Sequence, residues 1–505
     1  MKQFLISLCM AYVILPSAGS SFGQFLIQGN DQTDFNTSEA VFEAGPDMPA
    51  SRLWHHAVVL PNGNVALIGG ITRNFVSLGT AEIYDPVENS FNTLTMNHVH
   101  ASPAITKLLD GSYLIAGGSA NSGVPRHAET EIFNPDSLKF TQVGNMTRFR
   151  ASAGAATLVD GRVVIAGAWW THNTAHTYGE LYDTESKSFS EMGPFAISRS
   201  HAIVIPTNDG KAMIAGGIRP NGTWEMLPVE LFDPSTGEIT TLQSSLLAND
   251  EAWSITNSES VTDNQKLADG RYLWMAMKPG NPATQFSLVV IDPENKELSM
   301  VETEPGLPDS QSYYFIGQPV IDNQNNRVYL LAVVIGTGSY QIAVFTVDLA
   351  TGSVTKSSNY HTISHYQLRS APAVLLEDGR IFVNGGSVSN NFDAVSHTLF
   401  ITPPEPALPS TVQTSELPQK VYLRQNYPNP FNPSTIIGFE LAEAGGVLLE
   451  VYDMTGRRVA VLFDGYKSPG HYSLQFDAAG LASGVYTCRL TAGSQVLMRK
   501  MTLIR

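Results

Sequence analysis

Four times the chain writes nearly the same five residues: Glu82-Ile-Tyr-Asp-Pro, Glu131-Ile-Phe-Asn-Pro, Glu180-Leu-Tyr-Asp-Thr and Glu230-Leu-Phe-Asp-Pro. The steps between them are 49, 49 and 50 residues. A fixed period of that size means one supersecondary unit copied and stacked, because a single copy has too little apolar surface to stand alone. A pair of glycines ends an apolar run about 15 residues before each sentence: Gly69-Gly70, Gly117-Gly118, Gly167 (followed by Ala168) and Gly216-Gly217. Ahead of it stands a tight-turn dipeptide: Asn62-Gly63, Asp110-Gly111, Asp160-Gly161 or Asp209-Gly210. Such dipeptides between apolar runs favour hairpins, since they tolerate positive φ. An apolar residue follows each aromatic at seven positions: Tyr84 to Phe91, Phe133 to Phe140, Tyr182 to Phe189, Phe232 to Ile239. The unit reads as four short antiparallel strands, which is a propeller blade.

The seven-residue step persists where the sentence has decayed, from Ile291 to Leu298 and from Val347 to Val354. A last copy begins at Leu368, carries Asp378-Gly379 and Gly385-Gly386, and ends after Phe400 without a fourth strand. Phe42 precedes Arg52 by ten residues, as Phe140 precedes Arg150 and Phe189 precedes Arg199. The segment around residues 39–43 is therefore expected to supply the missing strand and close a seven-bladed ring.

The order of turn, apolar strand, Gly-Gly and Glu-x-Tyr-Asp-Pro resembles kelch repeats, and seven blades place the resemblance in the galactose-oxidase-like group. It covers roughly residues 39 to 402. Two features depart from it. The fourth-strand position that kelch repeats give to Trp is Phe or aliphatic here. Blades five and six replace the Gly pair by Met275-Ala-Met277 and Val333-Val-Ile335, which leaves their boundaries between 245 and 360 open.

The two ends carry different information. Lys2, the apolar stretch Phe4 to Leu15 and the small residues from Ala18 to Gly23 read as a secretory signal over 1–23, with Gln24 first in the mature chain. No later segment is expected to cross a membrane. Residues 24–402 form the expected propeller and the Pro-rich stretch 403–418 a semi-rigid linker. Residues 419–505 alternate apolar and polar runs between Gly-rich turns, as a small Ig-like β-sandwich does. Gln425-Asn-Tyr427-Pro428-Asn429-Pro430-Phe431-Asn432-Pro433-Ser-Thr435 opens this tail. Val451-Tyr-Asp-Met-Thr-Gly456, Gly470-His-Tyr472, Leu481-Ala-Ser-Gly-Val-Tyr486 and Lys500-Met-Thr-Leu503 follow. The tail resembles the type A C-terminal sorting domain of the bacterial type IX secretion system. That resemblance implies that residues 419–505 engage the secretion machinery, after passage through the periplasm, and that the cargo is released or held at the outer-membrane surface. The proline-rich opening is expected to form a rigid exposed ribbon suited to recognition.

Charge and cysteine content exclude several functions. Up to Leu417 the chain has 21 Lys and Arg against 40 Asp and Glu, and beyond it 9 against 6. An acidic propeller is a poor partner for nucleic acid or an anionic membrane. No cysteine lies between residues 24 and 487, so a copper radical centre built on a Tyr cross-linked to Cys, as the galactose oxidase resemblance would imply, is excluded. No metal site and no cofactor is expected. The fold leaves two functional classes. The leading one is a secreted or surface-displayed binding protein for a glycan or another extracellular macromolecule. The alternative is an extracellular carbohydrate-active lyase or epimerase using the loop face.

Candidate contact residues fall in the inter-blade connections and the loops after the Gly pairs, which share one face by resemblance to the family. In blade three the loop reads Trp169-Trp170-Thr-His172-Asn-Thr-Ala-His176, and blade four adds Trp224 at the matching place. Rings beside His and Arg suit sugar recognition, covering C–H faces while polar groups take hydroxyls; plugging the channel is the other reading. Arg52, His100, Arg150 and Arg199 each stand eleven residues before the turn glycine, with His56 and His201 close by. Their recurrence in register fits blade bracing as well as binding.

Overall fold

The computed structural model describes residues 36–119, 126–168, 177–219, 227–242, 254–255, 261–278, 285–303, 307, 313–334, 340–363, 371–387, 393–404, 421–423, 426, 429, 431–442, 445–467, 470–493 and 495–504. The expected signal and all but the first two residues of the expected linker lie outside them. The chain divides into two compact units, 1–407 and 408–505.

The first unit is a seven-bladed β-propeller. Blade one shows the plan, with antiparallel strands His56–Val59, Val65–Ile68, Thr80–Asp85 and Ser90–Thr95. Six further sheets repeat it, beginning with the inner strands Ala104–Lys107, Gly154–Thr157, Ile203–Pro206, Ser254–Ile255, Tyr313–Asp322 and Ala373–Leu375. The recurring sentence has a physical reason at each letter. The aromatic is buried and pairs directly with the residue seven positions on, as Tyr84 with Phe91 and Phe133 with Phe140. The Asp caps the turn to the fourth strand, Asp85 Oδ1 accepting from the backbone N–H of Val87 and Glu88. The Gly pair ends the second strand with positive φ, 67° and 97° at Gly69 and Gly70. In blade two the second strand continues through its pair to Ser119 with a register shift between Ala116 and Gly118; in blades five and six, which lack the pair, it runs on without a shift, as Tyr272–Lys278 and Arg327–Val334.

Apolar side chains pack between consecutive blades all round the ring. Val58, Ile68 and Ile83 of blade one meet Ile105, Ile115 and Phe133 of blade two. At the closure, Tyr84 of blade one stacks on Phe382 of blade seven with centroids 4.5 Å apart. The strand that completes blade seven is Val41–Ala44, paired antiparallel with Thr398–Thr402 in the register Val41↔Thr402 to Ala44↔Leu399. Just before it, Asn36–Ser38 lies parallel to the outer strand Val354–Ser357 of blade six. The Asn359 side chain links the two, accepting from Ala40 N at 2.8 Å and donating to Ala40 O at 2.7 Å. The N-terminal segment thus fastens two blades.

Blade five departs most. Among the described residues its inner strand is Ser254–Ile255, and a 3₁₀ turn, Thr262–Gln265, takes up the channel beside it. Thr262 Oγ1 lies 3.1 and 3.2 Å from the carbonyl oxygens of Ala155 and Val204. Asn264 donates to Ala57 O, Gln265 to Pro319 O, and Asp263 accepts from Lys107 N. Inner strands present unpaired backbone groups to the channel, and this turn satisfies them in blades one, two, three, four and six.

The second unit is a β-sandwich. Strands Tyr422–Leu423, Ser434–Leu441 and Gly470–Asp477 form one sheet; Arg458–Lys467, Gly445–Tyr452, Gly484–Ala492 and Gln495–Leu503, in that order, form the other. Phe431, Phe439, Leu449, Val451, Leu490 and Met501 fill the space between. Cys488 is in that core too, its thiol pushed up to about 12 by burial. Among the described residues no helix is long and apolar enough to cross a membrane.

Deleting residues 24–45 removes both N-terminal strands and exposes the outer edges of blades six and seven. The expected result is aggregation or a large fall in melting temperature by scanning calorimetry. A truncated chain that melts like the intact one would show that ring closure does not depend on this segment.

Candidate functional site

The inter-blade loops are built around one repeated contact. Arg52 is fully buried, and its guanidinium donates to the carbonyl oxygens of Gly69 at 2.7 Å and Thr80 at 2.9 Å and to the Glu82 carboxylate. Arg150 does the same with Gly167 O, Tyr178 O and Glu180, at 3.1, 2.9 and 3.1 Å. Arg199 uses Gly216 O, Pro228 O and Glu230, at 3.0, 2.8 and 2.8 Å. Burial lowers the pKa of all three guanidinium groups, and the adjacent carboxylate opposes that shift. In blade two an imidazole replaces the guanidinium: His100 Nδ1 faces Gly117 O at 2.5 Å and Nε2 faces Glu131 Oε1 at 3.0 Å. Each pair joins the first strand's approach loop to the third strand and supplies a donor for the Gly carbonyl left free where the second strand ends.

The same residues also join neighbouring blades through their backbones. The carbonyl of His100 accepts from Gly70 N, that of Arg150 from Gly118 N, that of Arg199 from Ala168 N, and that of Arg52 from Gly386 N. A Cβ on Gly69 would stand 2.2 Å from His100 O, and one on Gly385 2.6 Å from Arg52 O. Glycine is required there by both space and φ. Blades five to seven have apolar residues at the glutamate position, Val289, Phe345 and Leu399, all buried.

Two residues beyond each bracketing side chain the backbone turns left-handed, at Trp54, Ser102, Ser152 and His201, with φ of 58°, 48°, 52° and 53°. They form a chain of hydrogen bonds across blades: Ser102 N to Trp54 O, Ser152 N to Ser102 O, and His201 N to Ser152 O, each 2.9 Å. A bulky residue such as Trp54 is held in this region only when its surroundings impose it. Trp54, Ser152 and His201 are half-buried, at the loop end of the inner strands. The 3₁₀ turn fills the channel farther along those strands. His201 is neutral, its pKa pushed down to about 4 by burial.

The sequence-derived candidates divide accordingly. Arg52, His100, Arg150 and Arg199 belong to the brackets. His56 is buried, its Nε2 donating to Pro103 O at 3.0 Å. His201 lies on the rim. Trp169, Trp170, His172, His176 and Trp224 lie outside the described residues. Sequence reading missed Trp54, Ser102 and Ser152, whose shared property is a backbone angle and not a residue type. It also missed the channel turn, which lies where the repeat has decayed. Among the described residues no group of three or more His, Cys, Asp or Glu is placed to hold a metal ion. In the tail's opening motif, Tyr427, Pro428 and Pro430 lie outside the described residues, Asn429, Asn432 and Pro433 are exposed, and Phe431 is buried in the core.

Residues 425–504 match the secretion system C-terminal sorting domain family. None of the curated proteins matches the chain. One similar solved structure is a novel fungal alcohol oxidase with catalytic diversity among the AA5 family, in complex with copper. It is 13% identical, with a TM-score of 0.49, over 93% of this chain and 100% of that one.

Glu180→Ala leaves Arg150 charged and buried without its counter-ion, and is expected to cost about 3–5 kcal/mol by calorimetry. The double variant Arg150→Met with Glu180→Leu should recover only part of the loss, because it removes the stranded charge but leaves the carbonyls of Gly167 and Tyr178 without their donor. Full recovery would show that the bracket contributes charge balance alone.

Acid should loosen blade two. Burial would raise the Glu131 carboxyl, but hydrogen bonds from His100 and Asn97 outweigh it and hold the group below its ordinary value. A lowered folded-state pKa contributes stability that is complete above the unfolded carboxylate pKa, about 4.3, and is lost as pH falls through the folded one. Melting curves of Glu131→Gln should therefore show a shallower acid-side decline than wild type.

Proposed function

We propose that this chain, a bacterial cargo of the type IX secretion system that is secreted or held at the cell surface, is a binding protein. The inter-blade end of its propeller channel engages a glycan or another extracellular macromolecule. The observation that carries this reading is the contrast within each inter-blade loop. The bracketing side chains are buried against their own glutamates, while the rim two residues on offers an indole, a hydroxyl and a neutral imidazole on a backbone locked by cross-blade hydrogen bonds. Such a set supplies contact surface and hydrogen bonds for an uncharged polar ligand. It does not supply an activated acid–base pair. By their place in the sequence repeat, Trp169, Trp170, His172, His176 and Trp224 are further candidate contacts for the same ligand. The kelch-like repeats and the N-terminal secretory signal fit an extracellular role.

A glycan array probed with the purified full chain tests the reading. Trp54→Gly keeps the left-handed backbone without the indole. Combined with His201→Ala, it should weaken binding to any hit by about 1–3 kcal/mol, with the melting temperature nearly unchanged. Product formation from a bound glycan would transfer the reading to a carbohydrate-active enzyme. Undiminished binding by the variant would place the contact surface elsewhere.

A further inference from the structure

The four-stranded sheet of the sorting domain has two edges, and they are finished differently. Arg458–Lys467, on one side, pairs with its neighbour through two register shifts, at Leu449/Glu450 and Val451/Tyr452. Bulges of this kind twist an edge and blunt it against further pairing. Gln495–Leu503, on the other side, pairs without interruption from Gly484↔Leu503 to Ala492↔Gln495.

Half of this regular edge is already covered by the chain's own opening motif. Phe431 N donates to Thr502 O at 2.9 Å and Ile504 N to Phe431 O at 3.0 Å. The Asn429 side chain continues the same line, accepting from Thr502 N at 2.8 Å and donating to Lys500 O at 3.3 Å. These bonds identify residues 500, 502 and 504 as those whose backbone groups point outward. By the alternation of a strand, Val496 and Met498 point outward too. Their side chains are 53% and 55% exposed. Among the described residues, the one partner on their outward backbone groups is Arg499, which reaches Met498 O at 3.2 Å. A flat apolar edge that is neither bulged nor covered is a template for another strand.

We infer that the free stretch from Gln495 to Met498 receives an extended strand of the export machinery by β-strand addition, continuing the line begun by Asn429 and Phe431. This rests on reading the tail as an export signal. The incoming strand pairs through its backbone and lays apolar side chains against Val496 and Met498. Arg489, directly across from Met498, is already paired with Glu450, but Arg499 and Lys500 follow along the edge, in a tail with more basic than acidic residues. The flanks of the incoming strand are therefore acidic.

Proline at an outward edge position removes one outward N–H and no bond to the neighbouring strand. In a host with this secretion system, full-length Val496→Pro should reach the medium or cell surface about tenfold less than wild type. The melting temperature of the purified chain should not change. Met498→Pro makes the same change one outward position along, and is scored if the first variant melts lower. If both do, Val496→Asp with Met498→Asp keeps every backbone group and opposes acidic flanks, and is expected to impair export. Wild-type export by a stably folded proline variant, or by the Asp pair where both prolines destabilise, overturns the inference. So does ultracentrifugation showing a dimer of the wild-type chain that Val496→Pro dissociates, since the edge would then pair with a second copy. Deleting residues 419–505 is the control. Loss of export by that deletion with normal export of Val496→Pro rejects the edge alone, whereas continued export of the deleted chain rejects the export reading itself.

Discussion

The propeller depends on a single buried contact used four times, an arginine or histidine side chain held between a glutamate and the carbonyl of a glycine. Ending the second strand at a Gly pair leaves that carbonyl without a ladder partner, in a place water does not reach. An unpaired carbonyl there is costly, and so is an unpaired guanidinium or carboxylate. Together the three groups satisfy one another. Because the bracketing residue also accepts a backbone bond from the preceding blade, one residue fixes the internal geometry of its blade and its docking to the blade before it.

The contact explains why the early blades are the most alike. Removing any one member of the set strands the others, so these blades tolerate change only in concert. Blade two shows an exchange that is accepted, His100 for arginine, because an imidazole also presents two nitrogens to the same two partners, Gly117 O and the Glu131 carboxyl. Blades five to seven show another, an apolar residue where the glutamate would be. In blades five and six the Gly pair is gone as well, and the second strands simply continue.

Much of this was legible in the chain. The period, the turn dipeptides, the seven-residue cross-strand step and the match of Phe42 to Phe140 and Phe189 all report local backbone requirements that recur in register. The bracing role of Arg52, Arg150 and Arg199 was legible too, as a recurrence. What was not legible has a common cause. Trp54, Ser102, Ser152 and His201 answer a demand on φ that four different side chains can meet when their surroundings impose it. The turn at Thr262–Gln265 answers the needs of carbonyls from distant blades, so nothing adjacent in sequence announces it. Phe431 lay within a motif expected to be an exposed ribbon, yet its ring is anchored in the core of the sandwich while Asn429 beside it is exposed.

The N-terminal fastening has a consequence in time. Chains are made from their first residue onward, so Val41–Ala44 exists long before Thr398–Thr402, the strand it must join. Every blade before the last can form from local pairings, but the final sheet waits for contacts between the two extremes of the propeller, the slowest kind to find. Until then the early strand is an unsatisfied edge, at risk of pairing with the wrong neighbour. The sorting domain is made after the strand that completes the ring. Synthesis order therefore makes the sorting domain available only once Thr398–Thr402 has been made, so the last blade can close before the tail is there to be read.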